Sequence, residues 1–398
     1  MAMVFQTIGM ERTGADNSGR WARGRWLLAI GAALLLILEA AACSFAGDAS
    51  YLAVTGPCNL SFPEDHRAHP GYRTEWWYYT GNVESNEEER FGFQLTFFRN
   101  QISPPGSERS WPEPHSAWRT QQIYLAHAAL SDIGGQHFYH AENMARGALG
   151  LAGVDQEAGA TTVFLGNWSA VLASSRQTIR AATDRFAFDL TLVPEKGPVL
   201  HGESGYSVKG ATPEKASCYY SFTRLDARGT VTIGGRQLQV HGLAWMDHEF
   251  SSSPLDLDLA GWDWLSLQLS DNSELMIYLL RREDGTYSPA SSGTFVDPEG
   301  RDAHLDRKDF SVEVLDHWKS PRSRALYPSK WRVAIPASQT ALTIRPNLED
   351  QEMETPESTR ITYWEGSVSV EGTSLGRLVS GDGYVELTGY AGSLDALH

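Results

Sequence analysis

Glu75-Trp76-Trp77-Tyr78-Tyr79-Thr80-Gly81-Asn82 is a run of aromatic and β-branched residues closed by a Gly-Asn turn signal. It reads as a β-strand. After an acidic turn, Phe91 to Arg99 alternates in the same way and reads as its hairpin partner. Further short strands are expected around 123–130, 161–165, 168–173, 186–192, 218–223 and 230–233, punctuated by Gly134-Gly135, Gly197-Pro198 and Gly234-Gly235. The Pro-, Ser- and Trp-rich residues 101–119 read as a long loop. Past Ser251-Ser252-Ser253-Pro254, a second series is expected at 262–269, 274–280, 310–315, 331–335, 341–344, 361–370 and 384–390. No segment carries a long apolar repeat of 3.6 residues, so the chain is mostly β.

The two series echo each other. Trp76 to Val83 lies over Trp262-Asp263-Trp264-Leu265-Ser266-Leu267-Gln268-Leu269, and each run leads through an acidic turn to a strand ending in Arg, at Arg99 and Arg281. Val231 to Gly235 precedes His241 to Phe250 as Val368 to Gly372 precedes Gly383 to Tyr390. A duplicated unit of many short strands suits closed antiparallel barrels, because closure removes exposed sheet edges. The expected division is 61–255 and 256–398, preceded by a polar tether over 43–60.

The first 42 residues have the character of an export signal. Arg20, Arg23 and Arg25 precede an apolar run from Trp26 to Leu38, and Ala40-Ala41-Ala42 follow. Cleavage there would leave Cys43 first, a position that resembles the lipidated cysteine of bacterial lipoproteins, although Ala40 stands where Leu is usual. The expectation is an exported, periplasmic or lipid-anchored protein. The chain has a net charge of −16, which makes nucleic acid an unfavourable partner. Cys58 and Cys218 either pair in an oxidising compartment or remain two separate thiols.

Two acidic aromatic clusters carry the chemical interest. In Trp245-Met246-Asp247-His248-Glu249-Phe250, strand alternation puts His241, Trp245, Asp247 and Glu249 on one face, and Leu238, Val240, Ala244, Met246, His248 and Phe250 on the other. In Gly261-Trp262-Asp263-Trp264, Asp263 shares a face with Leu265, Leu267 and Leu269. A carboxylate on an apolar face is costly unless it is paired or neutral, and desolvation makes such a group a usable general acid. Structural roles compete: the Asp247-His248 pair can fix a strand end, and Asp263 can meet Arg99 or Arg281. His66 and His69 match a metal pair in composition only and suit surface or capping roles. A serine nucleophile lacks its Gly-x-Ser-x-Gly setting, and zinc and phosphate-loop signatures are absent from the sequence.

Thr74 to Asn82, Gln94 to Arg99, Ala126-His127, Trp245 to Glu249, Gly261 to Trp264 and Tyr363-Trp364-Glu365-Gly366 together resemble the AttH-type predicted secreted hydrolases, relatives of carotenoid 1,2-hydratase. The motifs run in family order from about residue 61 to 390. The one departure is Phe250, where the family usually has Trp. The resemblance implies two tandem lipocalin-like β-barrels and activities that include hydrolysis, hydration of isoprenoid double bonds and, in distant fungal relatives, cyclisation. Asp247, His248, Asp263 and Glu249 are the candidate catalytic groups. Trp245, Trp262, Trp264, Trp77, His241 and His127 are candidate contacts to an apolar substrate, with ring faces able to stabilise a cation. No cofactor or metal is expected. The competing reading is a carrier that binds an apolar ligand without turnover.

Overall fold

The computed structural model describes residues 50–392 apart from 115, 253–255 and 257. The signal-like segment and Cys43 lie outside the described residues. Tyr51 onward forms one compact unit. The fold is all-β, with one antiparallel sheet curled into a nearly closed barrel and a second forming a half-barrel.

Among the described residues, the first sheet contains β1 (Thr74–Ser85), β2 (Arg90–Gln101), β3 (Gln122–Asp132), β4 (His137–Arg146), β5 (Ala152–Glu157), β6 (Ala160–Leu165), β7 (Trp168–Ala173), β8 (Arg176–Ala182), β9 (Phe186–Pro194), β10 (Val199–Leu200), β11 (Tyr206–Val208), β12 (Ala216–Ile233) and β13 (Arg236–Ser251). The second contains β14 (Leu259–Leu269), β15 (Glu274–Arg282), β16 (Ser292–Val296), β17 (Asp302–Asp306), β18 (Ser311–Lys319), β19 (Leu326–Ile335), β20 (Thr340–Pro346), β21 (Glu352–Glu354), β22 (Thr362–Ser374) and β23 (Arg377–Leu387). Neighbours run β3-β2-β1-β13-β12-β9-β8 in the first sheet and β16-β15-β14-β23-β22-β20-β19 in the second. The order is the same, strand for strand.

Local geometry repeats the correspondence. A Cβ on Gly229 would lie 2.0 Å from the Asp189 carbonyl oxygen, and one on Gly372 would lie 2.1 Å from that of Ala341. These glycines occupy the same place in β12 and β22, each where a neighbouring backbone passes too close for any side chain. Gly242 and Gly381 match likewise, against the carbonyls of Asn82 and Gln268. The alignment of Trp76 with Trp262 holds in the fold, because Asn82 and Gln268 then coincide. The return strands shift relative to the sequence alignment: Gly229, and not Gly235, is the counterpart of Gly372.

Strand faces divide the buried side chains into separate layers. Trp77, Tyr79, Phe93, Leu95, Phe97, Met246 and Leu190 fill the first barrel. Leu265, Leu267, Leu279, Trp331, Val385 and Leu387 fill the second. The outer faces of β1, β12, β13, β14, β15 and β23 meet in a third apolar layer of Tyr78, Tyr219, Trp245, Trp264, Met276, Tyr278 and Tyr384. A Cys58–Cys218 disulfide ties the segment before β1 to β12, with Cα atoms 5.9 Å apart.

Candidate functional site

Asp247 faces the layer between the barrels. β13 pairs with β1 so that Asp247 lies opposite Tyr78, and with β12 so that it lies opposite Ser221. Its carboxylate is buried. The Tyr219 hydroxyl donates to Oδ2 at 2.8 Å and Trp245 Nε1 to Oδ1 at 2.6 Å, while Ser221 Oγ also donates to Oδ1. Burial pushes the Asp247 carboxyl up to about 7, against the pull of those three donors. It is therefore poised to give or take a proton near neutrality.

A hydrogen-bonded chain runs through this carboxyl. Trp264 Nε1 donates to the Tyr219 hydroxyl at 3.2 Å. On the other side, His201 Nε2 lies 2.6 Å from Ser221 Oγ and its Nδ1 lies 2.8 Å from Thr294 Oγ1. Burial holds the His201 imidazole well below its ordinary range, so it stays neutral. Beside Asp247, Glu249 accepts from Ser217 Oγ and pairs with Lys209 Nζ at 3.3 Å. That ammonium also sits 3.8 Å from the Tyr278 ring centre.

The facing wall belongs to the second sheet. Trp264 packs edge-on against Tyr78 and Trp245, with ring centres 5.1 and 6.3 Å away. Trp262 Nε1 donates to Glu386 Oε2 at 3.0 Å. Glu386 lies opposite Glu365 in the β22–β23 pairing. His127, on β3, meets this wall: its Nδ1 lies 2.8 Å from the Tyr363 hydroxyl and its Nε2 2.8 Å from Ser358 Oγ. Burial lowers the His127 imidazole to about 3.

The other sequence candidates lie elsewhere. His248 and Trp77 point into the first barrel and stack, ring centres 4.8 Å apart. There His248 Nε2 bonds Glu75 Oε1 at 2.8 Å, His69 Nδ1 bonds the same oxygen at 2.7 Å, and Arg99 Nε donates to Oε2 at 2.7 Å. Glu75 is depressed far below its ordinary value: burial works against ionisation, but the His248 and His69 bonds and the Arg99 charge outweigh it. His66 is buried with its Nδ1 2.7 Å from the Tyr220 hydroxyl. The expectation of surface roles for His66 and His69 gives way to inward contacts: His66 meets the Tyr220 hydroxyl, and His69 supplies a donor to the buried Glu75. The ligand atoms of His69, Glu75 and His248 lie within 4.8 Å of one another, yet the guanidinium already neutralising this carboxylate works against a further cation.

Asp263 points into the second barrel, away from Asp247. The Tyr390 hydroxyl is 3.1 Å from each carboxylate oxygen, and Arg281 Nε is 3.7 Å away. Burial pushes the Asp263 carboxyl up to about 6, against the Arg281 charge. Arg281 lies near the end of β15 as Arg99 lies near the end of β2, so each barrel carries a buried acid beside an arginine at the same end. His241 is exposed on the far half of β13. The partners that sequence reading missed are Tyr219, Ser221, His201 and Lys209. Alternation in 218–223 puts Tyr219 and Ser221 on one face, but nothing local shows that this face meets Asp247.

The fold and the buried carboxyl define a lipocalin-like protein with an acid site between two β-sheets. The AttH-like family model matches residues 53–390, and the chain belongs to that family. An AttH protein of Nitrosomonas europaea is 34% identical with a TM-score of 0.74, over 85% of this chain and 99% of that one. Kievitone hydratase of Nectria haematococca shares the fold at 14% identity and a TM-score of 0.61, over 87% of this chain and 97% of that one. CghA shares it at 13% identity and a TM-score of 0.50, over 87% and 98%. No curated protein matches this sequence significantly.

Proposed function

We propose that this protein is an enzyme that adds water to an apolar, isoprenoid- or lipid-like substrate held between the two barrels, with Asp247 as the general acid. The observation that carries the reading is the Asp247 carboxyl itself, buried, held by three donors and bordered by Trp245, Trp264 and Tyr78. An acid in such a place can protonate a double bond or the leaving oxygen of an ester, and the indole faces can stabilise the positive charge that develops. His201, Ser221 and Tyr219 position the carboxyl and offer it a route for reprotonation. The aromatic rings are packed edge to face, so substrate entry requires them to part.

The test is a mass-shift screen of purified wild-type and Asp247→Asn protein against isoprenoid alkenes and lipid esters. Gain of one water on an alkene assigns hydration, and cleavage of an ester assigns hydrolysis. Either activity should fall about 100-fold or more in the variant. An apolar molecule that co-purifies without turnover identifies a carrier and overturns the enzymatic reading.

Export to the cell envelope, with Cys43 as a lipid anchor, belongs to the same proposal. The Cys58–Cys218 disulfide supports it, since such bonds persist in oxidising compartments. Mass analysis of the mature N-terminus, compared with Cys43→Ala, decides the point.

A further inference from the structure

The duplication has a chemical consequence. In the first sheet Asp247 lies opposite Ser221 on β12 and opposite Tyr78 on β1. In the second, Glu386 lies opposite Glu365 on β22 and opposite Trp264 on β14. The strand orders and the glycine pairs place these positions in register, so Glu386 is the counterpart of Asp247, Glu365 of Ser221, and Trp264 of Tyr78. Each copy meets the other: Trp264 Nε1 donates across to the Tyr219 hydroxyl, and the Tyr78 ring packs edge-on against Trp264. Each barrel contributes its own carboxyl site to the one layer.

The two copies have diverged where Ser221 is replaced by Glu365, which sets a second carboxylate against the first. Glu365 is buried, and its Oε1 makes no hydrogen bond; the buried Tyr78 and Tyr384 hydroxyls are likewise unpartnered. Among the described residues neither glutamate forms an ion pair, whereas Glu75, Glu249 and Glu274 each have a cation beside them. Two buried carboxylates paired across neighbouring strands without a cation cannot both ionise readily, so one of them holds its proton. Burial and the charge of Glu386 raise the Glu365 carboxyl well above its ordinary range, and burial raises Glu386 against the Trp262 bond. The Trp262 Nε1 donor on Glu386 favours the negative charge there, and Glu365, whose Oε1 has no donor, is the member that keeps the proton. The described residues bring no ligand atoms of Asp247, Glu365 and Glu386 together as a cation site would.

We infer that the Glu365–Glu386 pair is a second proton-transfer group on the wall opposite Asp247, and that Glu386 is the proton acceptor that activates the attacking water. This rests on the hydration reading above. In the forward step Asp247 gives its proton to one alkene carbon and is left as a carboxylate. The water oxygen bonds to the adjacent cationic carbon, and the proton it sheds passes to Glu386. Return of that proton to Asp247 through solvent closes the cycle, and no oxidant or reductant is needed. The substrate class this implies is an alkene that is attacked from opposite faces.

The experiment uses the full protein in D2O with the alkene that the screen identifies. Glu386→Gln should slow hydration about 100-fold or more while still exchanging deuterium into the alkene carbon, because protonation by Asp247 survives. Asp247→Asn should lose both. Glu386→Asp, a conservative control for folding, should restore part of the hydration rate. Infrared spectra of the unliganded protein provide an arm independent of activity: Glu365→Gln should remove a protonated-carboxyl band, Glu386→Gln should shift it, and Asp247→Asn should retain it. Wild-type hydration in Glu386→Gln, or loss of exchange together with hydration, overturns the acceptor role. An unchanged carboxyl spectrum in both glutamate variants overturns the proton held by the pair. A wild-type protein inert toward every alkene refutes the hydration reading and the acceptor role with it, while the infrared arm still decides whether the pair holds a proton.

Discussion

At the scale of single residues, two buried carboxylates on strands of the first sheet, one facing into the barrel and one facing out, behave in opposite ways. Glu75 is surrounded by donors and an arginine and stays ionised. Its depressed folded value means that its stabilisation is present above the ordinary glutamate range and is lost as pH falls through the folded value. Glu75→Gln leaves Arg99 buried without its counter-charge and should cost about 3–5 kcal/mol in urea unfolding. Asp247 has donors but no direct cation, and it takes up its proton at about 7 against an ordinary 3.8. The folded protein therefore binds more protons than the unfolded chain between those values, and this group withdraws stability as pH rises through that window. Glu249 and Glu386 facing it add to the effect, Lys209 opposes it, and neutral His201 and Tyr219 carry no charge. Thermal melts of Asp247→Asn should gain on the wild type steadily from acidic to neutral pH. A difference that is constant with pH would show that Asp247 keeps an ordinary titration in the fold. With Asp247 as the proposed general acid and Glu386 as the proposed acceptor, turnover should follow a bell-shaped pH profile whose alkaline limb falls through about 7 as Asp247 ionises.

At the scale of elements, the strands that build the site are held by close backbone contacts and one cross-link. Gly229→Ala and Gly372→Ala each place a methyl group about 2 Å from a carbonyl oxygen on the neighbouring strand. Both should lower the unfolding midpoint, and similar losses are expected because the positions are equivalent. The disulfide closes a span of 160 residues and anchors β12 at the residue next to Tyr219. The Cys58→Ser/Cys218→Ser double variant should lose about 2–5 kcal/mol of stability, measured by denaturant unfolding against the oxidised wild type. If reduction of the wild type gives the same loss, the cross-link and not the serines is responsible.

At the scale of the molecule, the barrels are joined by buried polar contacts as well as by the aromatic layer. Glu274, on the second sheet, takes Lys196 at 2.8 Å and Arg224 at 2.5 Å from the first. Gln268 donates to the carbonyls of Thr223 and Ala244, and Asn82 to that of Gly383. Calorimetry should therefore show both barrels melting in one transition. Glu274→Gln leaves two buried cations without their anion and should split that transition or lower it by about 3–5 kcal/mol. An unaltered single transition in the variant would mean that the aromatic layer alone couples the halves.

Much was legible before folding. Alternation in β13 correctly sorted Trp245, Asp247 and Glu249 from Met246 and His248, because a strand leaves its side chains no other choice. The aromatic runs at Trp76 and Trp262 revealed the duplication and, through the family resemblance, the two-sheet architecture. The face that Asp263 shares with Leu265 and Leu267 was also readable, but not that this face lines the second barrel while the flanking tryptophans turn toward Asp247. Tyr219 and Ser221 reach Asp247 from 28 and 26 residues earlier, and Glu386 comes from the other half of the chain. Local pattern fixes which side of its own strand a residue occupies. Which two strand faces meet, and so which acids share one dry layer, depends on how two curved sheets pack. Only the tertiary structure decided that.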